Sequence, residues 1–313
     1  MNIYGERFKI SIFGESHGPA IGVVIDGLPP GFAPDMAKVK AEMARRAPGK
    51  HALSTPRAEA DSVEIVSGLL AGKTTGAPLC GLIRNQDVRS GDYEERKNRP
   101  GHADYAAYVK YKGFSDHRGG GHFSGRLTAP LVFAGALARQ LLPGIEIAAR
   151  SRDDLTEAIL AAKADGDSVG GIIDCVVAGL PAGLGEPFFG SVESRLSALL
   201  FSIPAIKAVE FDDGFTLAGL RGSASNRTEF GILGGITTGK PLRFCVAVKP
   251  TPSIALEQDT FDLVTGQPAK ITVEGRHDPC IVPRAVPVVE AAAAIGLFDL
   301  CLSAHEYGTG GFS

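Results

Sequence analysis

The chain has 313 residues and a formal net charge of −3, with 44% hydrophobic and 21% charged residues. With a mean hydropathy of +0.08, this composition is typical of a globular protein that buries a sizeable core. The 40 glycines follow no fixed period, which excludes collagen-like and disordered classes. The nearly neutral charge argues against general nucleic-acid binding.

The cysteines and the most apolar segment bear on the cellular compartment. The odd number of cysteines and the lack of paired zinc spacing favour reduced thiols, so we expect a cytoplasmic protein without a structural metal. They are Cys80, Cys175, Cys245, Cys280 and Cys301. The N-terminal segment lacks the apolar core of a leader. The run Ala285–Ala304 contains Pro287, Glu290 and Asp299, so it predicts a buried helix rather than a membrane span.

Two segments recur along the chain in the same order, which indicates an internal duplication. Gly14–Gly31 and Gly166–Gly183, offset by 152 residues, are identical at nine of 18 positions. Ser67–Leu79 and Phe230–Leu242, offset by 163 residues, match at eight of 13 positions. Because no linker separates the copies, we predict one domain with pseudo-symmetric halves.

Each copy is predicted to contain two strands, a capped helix and a longer closing helix. The strands are Ile21–Asp26, Leu79–Ile83, Ile172–Val177 and Leu242–Val248. Asp35 caps the first short helix, and Ser191 caps its counterpart, which ends before Pro204. The longer helices are predicted over about 127–142, with Ser124 as the candidate cap, and about 286–302.

These elements predict an α+β fold because each apolar face needs a partner. We expect a β-α-β sandwich in which two antiparallel sheets enclose a helical layer. The single domain would span residues 1–313, with pseudo-repeats of roughly 8–145 and 160–302.

The segment Arg96–Arg126 concentrates the unusual chemistry of the chain. Seven Lys or Arg residues and three histidines, His102, His117 and His122, surround the triple glycine Gly119–Gly121. Backbone amides of such a turn can approach an anion closely, and guanidinium groups pair bidentately with phosphate or carboxylate. The segment therefore favours an anion site, with a solvated basic loop as the alternative. The basic surroundings and the absence of a helical H-x-x-x-H pair argue against a metal site.

Two shorter motifs have rival interpretations. Gly14–Gly18 matches the hydrolase pattern G-x-S-x-G, but a predicted strand follows where that motif needs a helix. The second copy repeats the pattern with Val169 in place of His17, so His17 is a functional candidate, with a partly buried turn histidine as the alternative. Gly72-Lys73-Thr74 resembles the end of a phosphate-binding loop, but Ser67 stands where that loop needs its first glycine.

Seven motifs together resemble the chorismate synthase family and occur in the family's order between Phe8 and about Asp299. They are GESHG, RPGHADY, RGGGHFSGR, GDSVGG with GLPAGLGEP, SIPAIKAVE, KPTPSI and GRHDPCIVPRAVPVVEA. The resemblance implies a β-α-β sandwich, a homotetramer, and reduced FMN bound beside 5-enolpyruvylshikimate 3-phosphate, with NADPH as a candidate reductant. It implies a lyase of the shikimate pathway, which serves aromatic amino acid biosynthesis. The 1,4-elimination removes phosphate and a ring hydrogen to give chorismate, with no net redox change.

The resemblance also implies residue roles. His17 would protonate the departing phosphate, His102 would protonate the reduced flavin, and Asp278 would assist proton removal. The implied substrate-binding residues are Arg46, Arg99 and Arg126. The implied FMN-binding residues are His122, Phe123, Ser124, Pro204, Ala205, Gly234, Lys249, Pro250, Thr251, Pro252, Ser253 and Arg276. From the residues alone, a helix-capping His102 stays an open alternative.

The chain departs from the family pattern around residue 122. Many members have Arg where His122 stands, and Ala and Glu where Gly125 and Leu127 stand. Two loops, near 149–154 and 223–230, are shorter than usual. These departures leave an alternative function, a non-catalytic flavin- or phosphate-binding relative that acts as an interaction subunit. Retention of the three implied catalytic residues favours the enzyme.

Overall fold

The computed structural model describes residues 2–49, 61–85, 97–273 and 278–305. Arg276, one of the FMN-binding candidates, lies outside these residues. The first half contains β1 (Ile3–Tyr4), β2 (Lys9–Gly14), β3 (Ala20–Asp26), α1 (Met36–Arg46), β4 (Val63–Ser67), β5 (Leu69–Leu70), β6 (Lys73–Thr74), β7 (Leu79–Arg84), α2 (Asp104–Lys110) and α3 (Thr128–Gln140).

The second half repeats this plan with additional short elements. It contains β8 (Glu146–Ser151), α4 (Thr156–Asp165), β9 (Gly171–Ala178), α5 (Val192–Leu200), β10 (Ile206–Phe211), α6 (Gly214–Leu217), α7 (Gly222–Ser225), β11 (Ile232–Leu233), β12 (Ile236–Thr237), β13 (Leu242–Val248), β14 (Gln258–Phe261), β15 (Pro268–Ile271) and α8 (Val282–His305). The predicted strand Leu242–Val248 matches β13 at both ends.

Two antiparallel sheets form the outer layers. The first has the order β1-β2-β3-β7-β4 and the second the order β10-β13-β9-β8. The run β2-β3-β7-β4 therefore corresponds to β8-β9-β13-β10, so both halves repeat one strand order. Helices α3 and α8 lie between the sheets, α3 against β3 and β7, and α8 against β8 and β9. The predicted α+β sandwich with duplicated halves is confirmed.

The duplicated turns make the same hydrogen bonds in each half. Thr74 Oγ1 donates to the Pro29 carbonyl at 2.5 Å, and Thr237 Oγ1 donates to the Pro181 carbonyl at 2.7 Å. Gly27 has φ +94°, and a Cβ there would lie 1.9 Å from the carbonyl oxygen of Arg7. The shared Gly-Leu-Pro-x-Gly motif is therefore explained by backbone geometry.

The helical layer is tightly packed and deeply buried. Residues 128–138 of α3 are all buried, so its apolar surface extends beyond the single stripe that the sequence predicts. A Cβ on Gly135 would lie 2.4 Å from the Cβ of Ala291, so α3 and α8 approach closely at this point. By its length and composition alone, helix α8 could cross a membrane. However, 89% of its most apolar 18-residue stretch is buried inside the fold. The predicted buried helix is confirmed.

Two helix ends differ from the prediction. Helix α8 begins at Val282 rather than near 286 because Pro283 is tolerated in a first turn, where its missing N–H would have no intrahelical partner. Ser124 accepts a hydrogen bond from Arg126 N and so caps a 3-10 turn over 125–127, and α3 follows this turn. Asp35 and Ser191 cap α1 and α5 as predicted.

A buried carboxylate in α8 holds the N-terminal segment. Asp299 has no exposed surface and accepts hydrogen bonds from the backbone N–H groups of Glu6, Arg7 and Phe8, at 2.8–3.1 Å. Arg195 Nη2 lies 3.1 Å from the same carboxylate and compensates its charge. The start of the first sheet is thereby fixed to the central helix.

Candidate active site

A cavity of about 670 Å³ lies where the two halves meet. Its walls come from the C-terminal ends of α1 and α5, the N-terminal ends of α3 and α8, and the loops that precede α2 and follow β13. The predicted site residues that line it are Arg46, Arg99, His102, His122, Phe123, Ser124, Arg126, Pro204, Ala205, Lys249, Thr251, Pro252, Ser253 and Asp278. His17, Pro250 and Gly234 lie outside this lining, Gly234 in the turn between β11 and β12.

The triple glycine lies against two histidines. Gly119, Gly120 and Gly121 have φ values of +60°, +82° and +53°, which side chains rarely adopt. A Cβ on Gly119 would lie 2.3 Å from His17 Nε2, and a Cβ on Gly120 would lie 3.3 Å from His102 Nε2. The glycines therefore let both imidazoles approach one stretch of backbone, with His17 directly behind Gly119.

A buried ion-pair trio joins two of the predicted substrate arginines. Asp61 Oδ2 lies 2.5 Å from Arg46 Nη1, and Asp61 Oδ1 pairs with Arg126 Nη1. The side chains of Arg46, Asp61 and Arg126 are 3%, 0% and 3% exposed. Burial lowers the pKa of Arg46 to about 10, although Asp61 opposes this shift. Burial raises the pKa of Asp61, and the two guanidinium groups outweigh it, so the pKa lies below its usual range.

A second network surrounds Asp104, the first residue of α2. Its carboxylate accepts from Arg99 Nε and Nη2, both at 2.7 Å, and from the backbone N–H of Arg99 at 3.1 Å. His102 Nδ1 lies 2.6 Å from Asp104 Oδ1. Burial raises the pKa of Asp104, but the hydrogen bonds from Arg99 and His102 outweigh it and hold the pKa well below its usual range. Asp104 is therefore a carboxylate at neutral pH.

The sequence interpretation missed Asp61, Asp104, Lys207 and Arg284 as site residues. Arg284 Nη1 pairs with the Asp278 carboxylate, and its Nε donates to the Arg46 carbonyl at 3.1 Å. Lys207 lines the same cavity as Lys249. The pKa of Lys249 is lowered mainly by burial and also by the positive charge of Lys207. The arginine in GRHDPCIVPRAVPVVEA was available as a signal for Arg284, but nothing local in the sequence connects Asp61 to Arg126.

The lining combines charge with an apolar surface. Among the described residues, six cationic side chains line the cavity, namely Arg46, Arg99, Arg126, Lys207, Lys249 and Arg284. The apolar part of the lining is formed by Phe123, Ile203, Pro204, Ala205, Ile281 and Val288. Thr251 Oγ1 is buried in this wall without a hydrogen-bond partner among the described residues, which leaves it available to a ligand. The cavity therefore suits a ligand that has a flat apolar portion and several anionic groups.

His122 contributes one ring nitrogen to the protein and presents the ring to the cavity. Its Nδ1 lies 2.7 Å from the Gly14 carbonyl oxygen, which can only accept, so Nδ1 carries the proton. In the neutral ring, Nε2 then holds a lone pair and cannot donate to an anion. His122 can donate from Nε2 only when it is protonated.

The sandwich holds a cationic cavity whose lining suits a small anionic ligand. Comparisons with known proteins identify the family. The family model described as chorismate synthase matches residues 8–153 and 148–302. The chain belongs to the chorismate synthase family, whose members are carbon–oxygen lyases of the shikimate pathway.

Individual relatives agree over nearly the whole chain. A chorismate synthase of Chitinophaga pinensis is 47% identical, and the alignment covers 96% of this chain and 97% of the relative. One from Dehalococcoides mccartyi is 44% identical, with 97% of each chain covered. A crystal structure of chorismate synthase superposes with a TM-score of 0.72 at 25% identity, covering 96% of this chain and 93% of the other.

Proposed function

We propose that the chain is a catalytically active chorismate synthase that uses reduced FMN. It would convert 5-enolpyruvylshikimate 3-phosphate to chorismate and phosphate, breaking one carbon–oxygen bond and removing one ring proton. The observation that carries this proposal is that residues from both halves, among them Arg46, Arg126 and Asp278, line one cavity. The cytoplasmic location, the homotetramer, the single-domain organisation and NADPH as the reductant belong to the same proposal.

The cationic part of the cavity supports binding of the substrate. The phosphate and the two carboxylates of the substrate can each be bound bidentately by a guanidinium group. Arg46 and Arg126 are already oriented by Asp61, so little side-chain entropy remains to be lost when the substrate binds. The N-terminal ends of α3 and α8 at the cavity add favourable dipoles for anions.

The apolar part of the cavity supports the flavin. Pro204 and Ala205 offer a surface for a planar ring, and Lys249 with the loop Thr251–Ser253 offers polar groups for the phosphate and ribityl chain. When bound, reduced FMN supplies the electronic step that makes the elimination accessible. Gly234 and Arg276 remain proposed contacts, since Gly234 does not line this cavity and Arg276 lies outside the described residues.

Residues of the chain then move the protons. His17 is proposed as the acid that assists phosphate departure, because an imidazole can titrate near neutral pH. Asp278 is proposed to assist proton removal; it lines the cavity and pairs with Arg284, which lines it too. His102 is proposed to exchange a proton with the flavin.

An anaerobic assay with the substrate and chemically reduced FMN tests this function. We expect chorismate to form with release of one equivalent of phosphate and no net oxidation of the flavin. Binding of flavin without turnover would instead support the non-catalytic relative. Turnover with NADPH and oxidised FMN in the same assay would show that the chain reduces its own cofactor.

A further inference from the structure

The network around His102 contains one acceptor and one donor that compete for the same ring nitrogen. Nδ1 lies 2.6 Å from Asp104 Oδ1 and 3.0 Å from Arg99 Nη2. Arg99 can only donate, and the ionised Asp104 can only accept. A lone pair on Nδ1 would face the carboxylate oxygen at 2.6 Å, which is strongly repulsive. The proton therefore lies on Nδ1, and Arg99 Nη2 donates to Asp104 Oδ1 at 2.7 Å instead.

The other ring nitrogen, Nε2, has a longer contact, 3.4 Å to Arg99 Nη2. A Cβ on Gly120, where φ is +82°, would lie 3.3 Å from Nε2, so glycine keeps this side of the ring uncrowded. His102 lines the main cavity, whereas Asp104 lines a second cavity of about 280 Å³, and Arg99 lines both. The carboxylate thus holds the imidazole without itself lining the main cavity.

We propose that Asp104 is a positioning residue whose carboxylate fixes the Nδ1–H tautomer of His102 and makes Nε2 the only nitrogen that exchanges a proton in the cavity. This inference rests on the proposed function for its catalytic consequence, but not for the tautomer itself. A carboxylate that orients an imidazole in this way is the arrangement found in hydrolase triads, where loss of the carboxylate costs about 10⁴-fold in turnover. The same carboxylate also holds the Arg99 fork, so it couples the substrate arginine to the histidine.

The tautomer is measured directly by nitrogen NMR of the full-length protein labelled in its histidine rings. The chain has seven histidines, and the His102 signals are assigned by their loss in His102→Gln. In the wild type we expect a protonated Nδ1 and an unprotonated Nε2 in the neutral ring. In Asp104→Ala the donor Arg99 Nη2 remains, and it lies closer to Nδ1 (3.0 Å) than to Nε2 (3.4 Å), so we expect the proton to move to Nε2. Asp104→Glu keeps a carboxylate and should restore part of the Nδ1–H form.

Asp174→Ala is the matched control. Like Asp104, Asp174 accepts hydrogen bonds from two nitrogens of one guanidinium group, but no histidine bond to it is seen in the described residues. Its carboxylate accepts from Arg152 Nε at 3.1 Å and Nη2 at 2.6 Å on the outer face of the second sheet. This variant should leave the His102 tautomer and turnover unchanged. In the elimination assay, Asp104→Ala should lower kcat by about 100-fold or more, and KM should rise because Arg99 loses its partner.

The outcomes separate the inference from the proposed function. A wild-type His102 protonated at Nε2, or an unchanged tautomer in Asp104→Ala, overturns the inference whatever the activity. The expected tautomers in a protein that does not form chorismate would leave Asp104 as the positioning residue and refute the proposed reaction. If Asp104→Ala fails to fold, the wild-type spectrum and the Asp104→Glu spectrum still decide the assignment.

Discussion

Replacing Asp61 by Asn tests whether the buried trio behaves as its geometry requires. The variant removes the only negative charge between Arg46 and Arg126 in this trio, whose three side chains are at most 3% exposed. Breaking a buried ion pair by removing one partner costs about 3–5 kcal/mol, because the remaining charges stay desolvated. With an unfolding entropy of about 2.1 cal/mol/K per residue over the 313 residues, the midpoint of thermal unfolding should fall by about 5–8 °C.

Calorimetry at one fixed protein concentration measures this shift, and Asp174→Asn provides the comparison. Asp174 and Arg152 form a fork whose side chains are 28% and 40% exposed, and such exposed pairs contribute about 0–1 kcal/mol. The control should therefore shift the midpoint by no more than about 2 °C. Equal shifts for Asp61→Asn and Asp174→Asn would refute the argument from burial.

The stability difference between the wild type and Asp61→Asn should also depend on pH in a defined way. The pKa of Asp61 is lowered in the folded protein, so its stabilisation is present above the unfolded-state value of about 3.9. That stabilisation is lost as the pH falls through the lower, folded-state pKa. The stability difference between wild type and Asp61→Asn should thus be constant near neutral pH and narrow only in strong acid. A difference that changes between pH 6 and 8 would contradict the assignment to Asp61.

Three further predictions concern the cavity. His17→Ala should lower turnover by about two to four orders of magnitude with a much smaller change in substrate affinity, as for loss of a general acid, and near wild-type turnover would make His17 structural. Gly120→Val should abolish flavin binding, measured by fluorescence quenching, because a side chain at φ +82° is strained and intrudes on His102; unchanged affinity would exclude the loop from the site. His122→Arg should bind FMN more tightly than the wild type at pH 8, because a guanidinium always donates whereas His122 Nε2 donates only in the cation; equal affinities would show that His122 does not hold the phosphate.

Much of the fold could be predicted because its signals are local. The caps Asp35 and Ser191 and the strand Leu242–Val248 follow from adjacent residues, and the duplication shows that both halves share one plan. The hairpin β14-β15 and the helix α4 have no counterpart among the described residues of the first copy, and neither lies in the two segments that the sequence shows to be duplicated.

The ionic partners within the site could not be predicted for a different reason. Asp61 is 15 residues from Arg46 and 65 from Arg126, and the three residues meet only in the folded chain, where α1 packs against α3. His17 was recognised as a candidate from its motif, but its position behind Gly119 depends on the φ value of a glycine in another loop. Side-chain pairing across elements is decided by tertiary geometry, which a linear pattern does not encode.

The duplicated Gly-x-Ser-x-Gly turns have a mechanical consequence for the cavity. In the first half, Ser16 N–H donates to the Gly121 carbonyl at 3.0 Å and braces the glycine turn. In the second half, Ser168 Oγ donates to the Thr251 carbonyl at 2.7 Å and braces the loop on the other wall. Each half thus supports one wall of the cavity through its own copy of the duplicated turn, so a repeat that is visible in the sequence serves the site from both sides.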